Sequence, residues 1–143
     1  MIILDTTILL DLMKSSNNPN YQRAVRFLKS VIDSGEGNCT TFLNVCEIRR
    51  GAYSSAEKEK ELKLIDSLLY IIPVIEYYND MFYDTYSSIY SGLVKNQNRI
   101  GDFDELIASI AVSQNARLVT RNKEHFERIK EIDEFRDFEV ITY

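Results

Sequence analysis

The sequence predicts an α/β fold, a three-layer sandwich in which a mostly parallel central sheet of four or five strands is flanked by helices. Short apolar segments, such as the run at 2–4, alternate with longer segments whose apolar residues recur every three or four positions. Strands that alternate with helices in this way are typical of a parallel sheet covered on both faces. The 143 residues suffice for one core and are too few for two ordinary domains. We therefore expect a single domain over 1–143.

Each element follows from local patterning and from the turn residues that flank it. The sequence predicts strands at 2–4, 38–41, 70–75, 116–120 and 138–141. Helices are predicted at 6–13, around 24–32, from 43 to near Gly51, around 62–69, around 75–93, around 103–111 and at 123–129. Pro73 predicts that the third strand lies at an edge of the sheet or that the proline lies at a strand end, because proline has no amide hydrogen to donate to a neighbouring strand. Tyr78, Tyr86 and Tyr90 follow the inner face of the fifth helix and are expected to pack in the core or at an interface.

Composition limits the possible functions. The net charge of −5 and the pI near 4.9 argue against the broad basic surface of a protein that binds nucleic acid by charge alone. An RNA substrate would need a local feature, such as bound divalent cations, to overcome the repulsion.

No apolar run approaches the roughly 20 residues that span a bilayer, and the start resembles no signal peptide, so we expect no membrane association and a cytoplasmic protein. Cys39 and Cys46 are expected to be buried free thiols.

Several polar residues occupy positions where ligands gather in open α/β sheets, at the carboxyl ends of the strands. Asp5 ends the first strand, Thr120 ends a later one, and Asp102 and Asp104 begin a late helix. Glu47 lies within a helix among apolar neighbours, where an unpaired carboxylate would cost several kcal/mol if it were buried. The sequence therefore predicts that these acids converge at one edge of the sheet.

Each acid also has a structural explanation. Aspartates near helix starts cap the helix and complement its dipole, and Asp102 fits that interpretation best. Glu47 has Arg50 as a natural helical neighbour. Asp11 and Asp66 are interpreted as ordinary solvated charges. The joint pattern, rather than any single acid, favours a functional cluster.

A cluster of carboxylate and amide oxygens suits Mg²⁺, with Mn²⁺ as a substitute. Zinc is disfavoured because the chain has one His and no usable Cys pair. A metal held in this way can polarise a phosphoryl oxygen and lower the pKa of a bound water, and phosphodiester hydrolysis is the natural chemistry of such a site.

Four segments that contain these residues resemble the motifs of PIN domains, specifically those of the VapC-type toxin nucleases, in the same order and at similar spacing. They are Ile-Ile-Leu-Asp5-Thr6-Thr7, Thr-Phe-Leu-Asn-Val-Cys-Glu47-Ile-Arg-Arg-Gly51, Ile100-Gly-Asp-Phe-Asp104-Glu-Leu-Ile-Ala-Ser-Ile-Ala111 and Leu118-Val-Thr-Arg-Asn-Lys-Glu-His-Phe126. The resemblance extends from Met1 to the C-terminal part of the chain.

The resemblance implies a metal-dependent endoribonuclease in which Asp5, Glu47 and Asp104 bind Mg²⁺, while Thr6 and Thr120 position the site. It also implies a homodimer and an RNA substrate that is a tRNA, rRNA or mRNA. A further implied partner is a small antitoxin, encoded adjacently, that blocks the acidic pocket by inserting an arginine.

The last motif departs from the four-acid version of the family. Asn122 is neutral, and His125 stands where some relatives have an acid. The fourth ligand is left open between Asp102 and Asn122, of which Asn122 could instead orient a water molecule. Arg121 and Lys123 beside it are candidates for phosphate contact or members of a solvated face.

Three other functions are compatible with the sequence. The same fold could serve RNA processing or decay without a toxin role. An aspartate-based phosphatase also has a strand that ends in Asp-Thr, but it needs a second acid at position 7, where this chain has Thr. The acids could also form a non-catalytic module that attracts a basic peptide.

Overall fold

The computed structural model describes residues 1–76 and 79–143, and Tyr78 lies outside them. The strands are β1 (Ile2–Leu4), β2 (Asn38–Thr41), β3 (Val74–Ile75), β4 (Arg117–Val119) and β5 (Val140–Ile141). The helices are α1 (Thr6–Leu12), α2 (Pro19–Asp33), α3 (Phe42–Tyr53), α4 (Lys58–Ile71), α5 (Asp80–Lys95), α6 (Asp102–Ser113) and α7 (Lys123–Glu127), and short 3-10 helices follow at Arg128–Glu131 and Asp133–Phe135.

The strands form one sheet in the order β3-β2-β1-β4-β5, and every described pairing is parallel. β1 is central, with Ile3 opposite Cys39 of β2 and Leu118 of β4. The predicted α/β class and parallel sheet are confirmed. Because all five strands point the same way, every residue that follows a strand emerges at the same edge.

Two apolar layers cover the two faces of the sheet. Ile3 and Leu118 pack against the inner faces of α5 and α6, whereas Leu4 and Val119 pack against α1 to α4. Adjacent strand residues thus point into different layers, as the alternation of side chains along a strand requires. This arrangement is the predicted three-layer sandwich.

The third strand and the helix before it differ from their predicted bounds. The prediction of a strand over 70–75 was wrong at its start, because α4 continues to Ile71 and only Val74–Ile75 pair with β2. Tyr70 lies on the outer face of α4, with 93% of its surface exposed. Pro73 lacks an amide hydrogen and cannot continue the helix. The edge position predicted from Pro73 is confirmed.

Two further predictions need correction. Helix α3 continues through Gly51 to Tyr53, because its buried residues Ile48 and Ala52 lie on one face and hold the last turn against the core. Cys39 is buried as predicted, but Cys46 is exposed, since it lies on the opposite face of α3 from the buried residues. Among the described helices, none is both long and apolar enough to cross a bilayer.

Candidate active site

Asp5 stands at the junction of β1 and α1, where it is the N-cap of the helix and is 4% exposed. Its Oδ2 accepts hydrogen bonds from the Thr120 hydroxyl at 2.8 Å, the Thr7 hydroxyl at 3.2 Å and the Thr7 amide at 3.4 Å. Its Oδ1 accepts one from Asn44 Nδ2 at 3.2 Å. The carboxylate is therefore held in one orientation by donors from three segments of the chain.

Asn44, on the first turn of α3, connects that helix to the site. Its Oδ1 accepts bonds from the amide and hydroxyl of Thr41, which completes a capping box, and its Nδ2 donates to Asp5 and to the Thr6 hydroxyl at 3.0 Å. Asn44 is fully buried. This role of Asn44 was not predicted from the sequence, although a Thr followed three residues later by a polar amide is the signal of a capping box.

Glu47 lies one turn further along α3 and is half-buried. Its Oε2 accepts a short hydrogen bond from the Thr6 hydroxyl, which is itself bonded to Asn44. Asp5, Asn44, Thr6 and Glu47 thus form one continuous chain of hydrogen bonds. In the described part of the chain, neither Asp5 nor Glu47 forms an ion pair with Lys or Arg.

Asp104, on the first turn of α6, is the third acid of the group, and 26% of its side chain is exposed. Burial and, to a smaller extent, the negative charges of Asp5, Glu47 and Glu105 together raise the pKa of Asp104 to about 7. Such a shift arises when carboxylates share a partly desolvated region without a compensating cation. The structure therefore brings together the three acids that the sequence pattern had grouped.

His125 and Asn122 border Asp104. The His125 Nδ1 lies 3.0 Å from Asp104 Oδ2 and 3.0 Å from Asn122 Nδ2. The two contacts require different tautomers of the neutral ring, because Nδ1 must carry a proton to donate to the ionised carboxylate and must lack one to accept from the amide nitrogen. Burial, and then the charge of Arg128, lowers the pKa of His125 and favours the neutral ring.

Asp102 lies apart from this group. Its side chain is 75% exposed and forms an ion pair with Arg99. The same arginine donates through Nε to the fully buried Glu105, whose Oε1 also accepts from the amide of Ile100. Glu105 Oε2 has no partner among the described residues. The prediction that Asp102 supplies the fourth ligand stays a prediction.

A second group of charges lies behind Asp5 and corrects the interpretation of Asp11. Asp11 was expected to be a solvated charge, but it is fully buried in α1 and bound by Lys14, Arg121 and Tyr143. The prediction was wrong because two of the residues that bind Asp11, Arg121 just after β4 and Tyr143, are distant along the chain, and no local pattern brings them together. Asp66 is exposed as predicted and pairs with Arg49.

A divalent cation fits the donor set at the edge of the sheet. Asp5, Glu47 and Asp104 offer carboxylate oxygens, which Mg²⁺ and Mn²⁺ prefer, and the charges of Asp5 and Glu47 add to burial in raising the pKa of Asp104. Within residues 1–76 and 79–143, no three His, Cys, Asp or Glu side chains form a ready-made metal cage. The hydrogen bond from Thr6 to Glu47 and the contact of His125 with Asp104 occupy two of the oxygens instead.

Comparison with known proteins matches residues 2–132 to the PIN domain family. The chain belongs to that family. Ribonuclease VapC1 of Methanocaldococcus jannaschii is 30% identical over 130 residues, which are 91% of this chain and 82% of that protein. The solved structure of VapBC-1 from nontypeable Haemophilus influenzae is 27% identical, with a TM-score of 0.79 over 99% of this chain and 98% of that one.

A second solved structure, VapBC2 from Rickettsia felis bound to a DNA fragment from its promoter, has a TM-score of 0.82 at 24% identity and covers 100% of this chain and 99% of that one. At that identity the likeness concerns the fold alone. In this PIN domain, the acids of the resemblance, Asp5, Glu47 and Asp104, come from three different elements. Their meeting at the carboxyl edge of the sheet is the feature on which a functional proposal can be based.

Proposed function

We propose that this PIN domain is a metal-dependent endoribonuclease that hydrolyses RNA phosphodiester bonds and acts as the toxin of a VapBC-type toxin–antitoxin pair. The observation that supports the chemistry best is the grouping of Asp5, Glu47 and Asp104, where burial and then the charges of the neighbouring acids raise the pKa of Asp104 to about 7. A site with this excess of oxygen ligands and negative charge favours a divalent cation at neutral pH.

The chain's own residues prepare the site in three ways. Thr7, Thr120 and Asn44 fix the Asp5 carboxylate through hydrogen bonds. Thr6 holds Glu47 on the neighbouring helix. Because these donors lie on rigid elements, the carboxylates keep their orientation without reorganising when a ligand binds.

Asp5, Glu47 and Asp104 would hold Mg²⁺ or Mn²⁺, with Asn122 or Asp102 as a further ligand or a support for water. When bound, the cation supplies charge stabilisation at the phosphate and a water that loses its proton near neutral pH. Asp104 must then be ionised, and its contact with His125 offers a place for a proton beside the site.

The biological part of the proposal rests on the named relatives. The solved neighbour at 27% identity is VapBC-1, and the relative at 30% identity is a ribonuclease. We propose a small antitoxin, encoded adjacently, as the partner, a homodimer as the assembly, and the cytoplasm as the location, where tRNA, rRNA and mRNA are available as substrates.

The test is cleavage of labelled tRNA, rRNA and mRNA by the purified chain with Mg²⁺, with Mn²⁺ and with EDTA. We expect cleavage that requires the metal and falls at least about 100-fold in Asp5→Asn and in Asp104→Asn, because each loses a charged ligand. Asn is as good an N-cap as Asp, so Asp5→Asn keeps the start of α1.

The matched control is Asp66→Asn, which removes an exposed carboxylate on α4 that pairs only with Arg49 among the described residues. It should cleave like the original chain. Full activity in Asp5→Asn or Asp104→Asn would contradict the mechanism, and activity that persists in EDTA would contradict the metal requirement.

The toxin role has its own test. Expression of the chain in bacteria should arrest growth, and co-expression of the adjacently encoded small protein should relieve the arrest. Growth without arrest would favour an RNA-processing nuclease with the same chemistry.

A further inference from the structure

Asp11 forms ion pairs with two cationic side chains, Lys14 and Arg121, beside the candidate active site. The Lys14 ammonium donates to Asp11 Oδ1 at 2.6 Å, and the Nε of Arg121 lies 2.9 Å from Oδ2, which also accepts the Tyr143 hydroxyl at 2.7 Å. Asp11 is fully buried, whereas Lys14 and Arg121 are 36% and 40% exposed. Both cationic side chains are therefore anchored at a buried carboxylate and reach the solvent.

The anchored arginine is connected to the carboxylate of Asp5 through Thr7. Its backbone amide donates to the Thr7 hydroxyl at 3.0 Å, and that hydroxyl donates to Asp5 and contacts Thr120. Arg121 also lines a surface groove together with Asn122, the residue that contacts His125. The groove thus runs from the cation cluster to the border of the active site.

The cluster of Asp11, Lys14 and Arg121 is positively charged in a chain whose net charge is −5. One buried carboxylate is shared by Lys14 and Arg121, so the cluster has one positive charge in excess. The groove itself is lined by Lys123, Glu124 and Glu127 besides Arg121, and Lys123 is paired with Glu127 at 3.5 Å. Of these two groove cations, Lys123 has its own carboxylate partner, whereas Arg121 shares Asp11 with Lys14 and so has the less compensated charge.

The geometry of the arginine leaves donors for a ligand. A guanidinium has five N–H groups in a planar fork, and Asp11 pairs with the fork at Nε, where its Oδ2 lies 2.9 Å away. The nitrogens at the end of the fork match the oxygens of a phosphate, which arginine binds through paired hydrogen bonds. A buried carboxylate that fixes the fork lowers the entropy lost when it binds.

We propose that Arg121, held in position by the buried Asp11, binds a phosphate of the RNA strand adjacent to the cleaved bond. This inference rests on the proposed nuclease function and adds to it a residue that binds substrate away from the reacting atoms. It also explains how an acidic protein holds RNA, since one oriented cation lies beside the carboxylate site rather than a broad basic surface.

The experiment is steady-state cleavage of a labelled single-stranded RNA, with Mg²⁺ present, at KCl concentrations between 50 and 200 mM. Arg121→Gln should raise KM about tenfold and leave kcat within about twofold, because a contact made equally in the ground and transition states changes binding alone. The slope of log(kcat/KM) against log[KCl] should become shallower by about 0.7, the value for one phosphate contact on a single strand.

The control is Arg117→Gln, at the opposite end of β4, which likewise removes an arginine that is paired with a carboxylate, here Glu36. It should leave KM and the salt slope unchanged, since Arg117 does not line the groove. Thermal melts of both variants measure any loss of stability separately from the loss of RNA binding. The salt slope then identifies the phosphate contact, because a merely structural role of Arg121 would leave it unchanged.

If Arg121→Gln does not fold, Arg121→Lys takes its place, because lysine keeps an ion pair with Asp11 but lacks the fork. It should raise KM at least about threefold. An unchanged KM and salt slope in the folded variant, with the original chain cleaving RNA, would overturn the role of Arg121 and leave the nuclease function intact. No cleavage by the original chain would overturn the nuclease function, and this inference with it.

Discussion

Asp104 is the residue at which burial and charge act most strongly together. Its carboxyl is three-quarters covered and faces two other acids, so burial and like charge both disfavour its ionised form. Its pKa of about 7 lies well above the ordinary 3.8 of an aspartate. In the absence of metal, the folded chain therefore binds a proton at Asp104 over a range of pH in which the unfolded chain does not.

The sign of the pH dependence follows from this difference. Between about pH 4 and pH 7 the folded state binds more protons, so the free energy of unfolding decreases as pH rises and levels off above about 7. Asp104→Asn removes the effect, because the amide is neutral throughout. In EDTA, urea unfolding should show that the stability of Asp104→Asn relative to the original chain increases from pH 5 to pH 8. An identical pH dependence in the two proteins would contradict the shift.

Asn44 shows how one residue can serve both folding and function. Its oxygen caps α3 through Thr41, and its nitrogen reaches Asp5 and Thr6. An aspartate at this position could accept the capping bonds but could not donate to Asp5. The amide is therefore suited to the junction between a helix start and a carboxylate group.

At the scale of elements, two helical glycines illustrate how packing decides what a sequence position tolerates. Gly51 lies in the last turns of α3, where a Cβ would meet nothing within 4 Å. Gly92 lies in α5, where a Cβ would come within 2.5 Å of Ile132 Cδ1 and 2.7 Å of its Cγ1. There is room for a side chain at Gly51. At Gly92 the missing side chain allows α5 to approach Ile132 closely, in the segment after Arg128–Glu131.

Alanine at the two positions should therefore have opposite effects. Gly51→Ala should stabilise the chain by about 0.5–1 kcal/mol, since alanine favours the helix and nothing obstructs it. Gly92→Ala should destabilise it by about 1–3 kcal/mol, because Ile132 must move. Urea unfolding of the two variants, each serving as the control of the other, measures the difference. An equal increase in the free energy of unfolding in the two variants would contradict this, because it would mean that the Ile132 side chain moves aside at no cost.

At the scale of the whole molecule, the parallel sheet and the charge distribution act together. The order β3-β2-β1-β4-β5 places β1 between β2 and β4, so the residues after these three strands are neighbours at one edge. Asp5, the start of α3 and Thr120 meet there for that reason. A net charge of −5 then adds to the local excess of carboxylates.

A divalent cation at this edge should stabilise the entire fold, because a ligand that binds the folded state alone shifts the unfolding equilibrium. We expect 10 mM Mg²⁺ or Mn²⁺ at pH 8 to raise Tm by about 2–5 °C. The rise should be absent in Asp104→Asn and retained in Asp66→Asn. Equal rises in these two variants would place the cation elsewhere.

The sequence by itself determined the α/β class, the single parallel sheet and the grouping of Asp5, Glu47 and Asp104. Hydrophobic periodicity is a local property, and parallel strands bring their carboxyl ends to one edge, so these features follow from the order of residues. The resemblance to PIN domains added the expected metal and substrate, which the proposed experiments test.

Only the tertiary structure decided the partners of the buried charges. Asp11 looked solvated because the residues that cover it, Arg121 and Tyr143, are more than a hundred positions away along the chain. The link of Asn44 to Asp5 likewise depends on the packing of α3 against α1. A local pattern cannot reveal a contact whose two halves are joined only by folding, and in this protein those contacts orient the acids that the sequence had already placed at one edge.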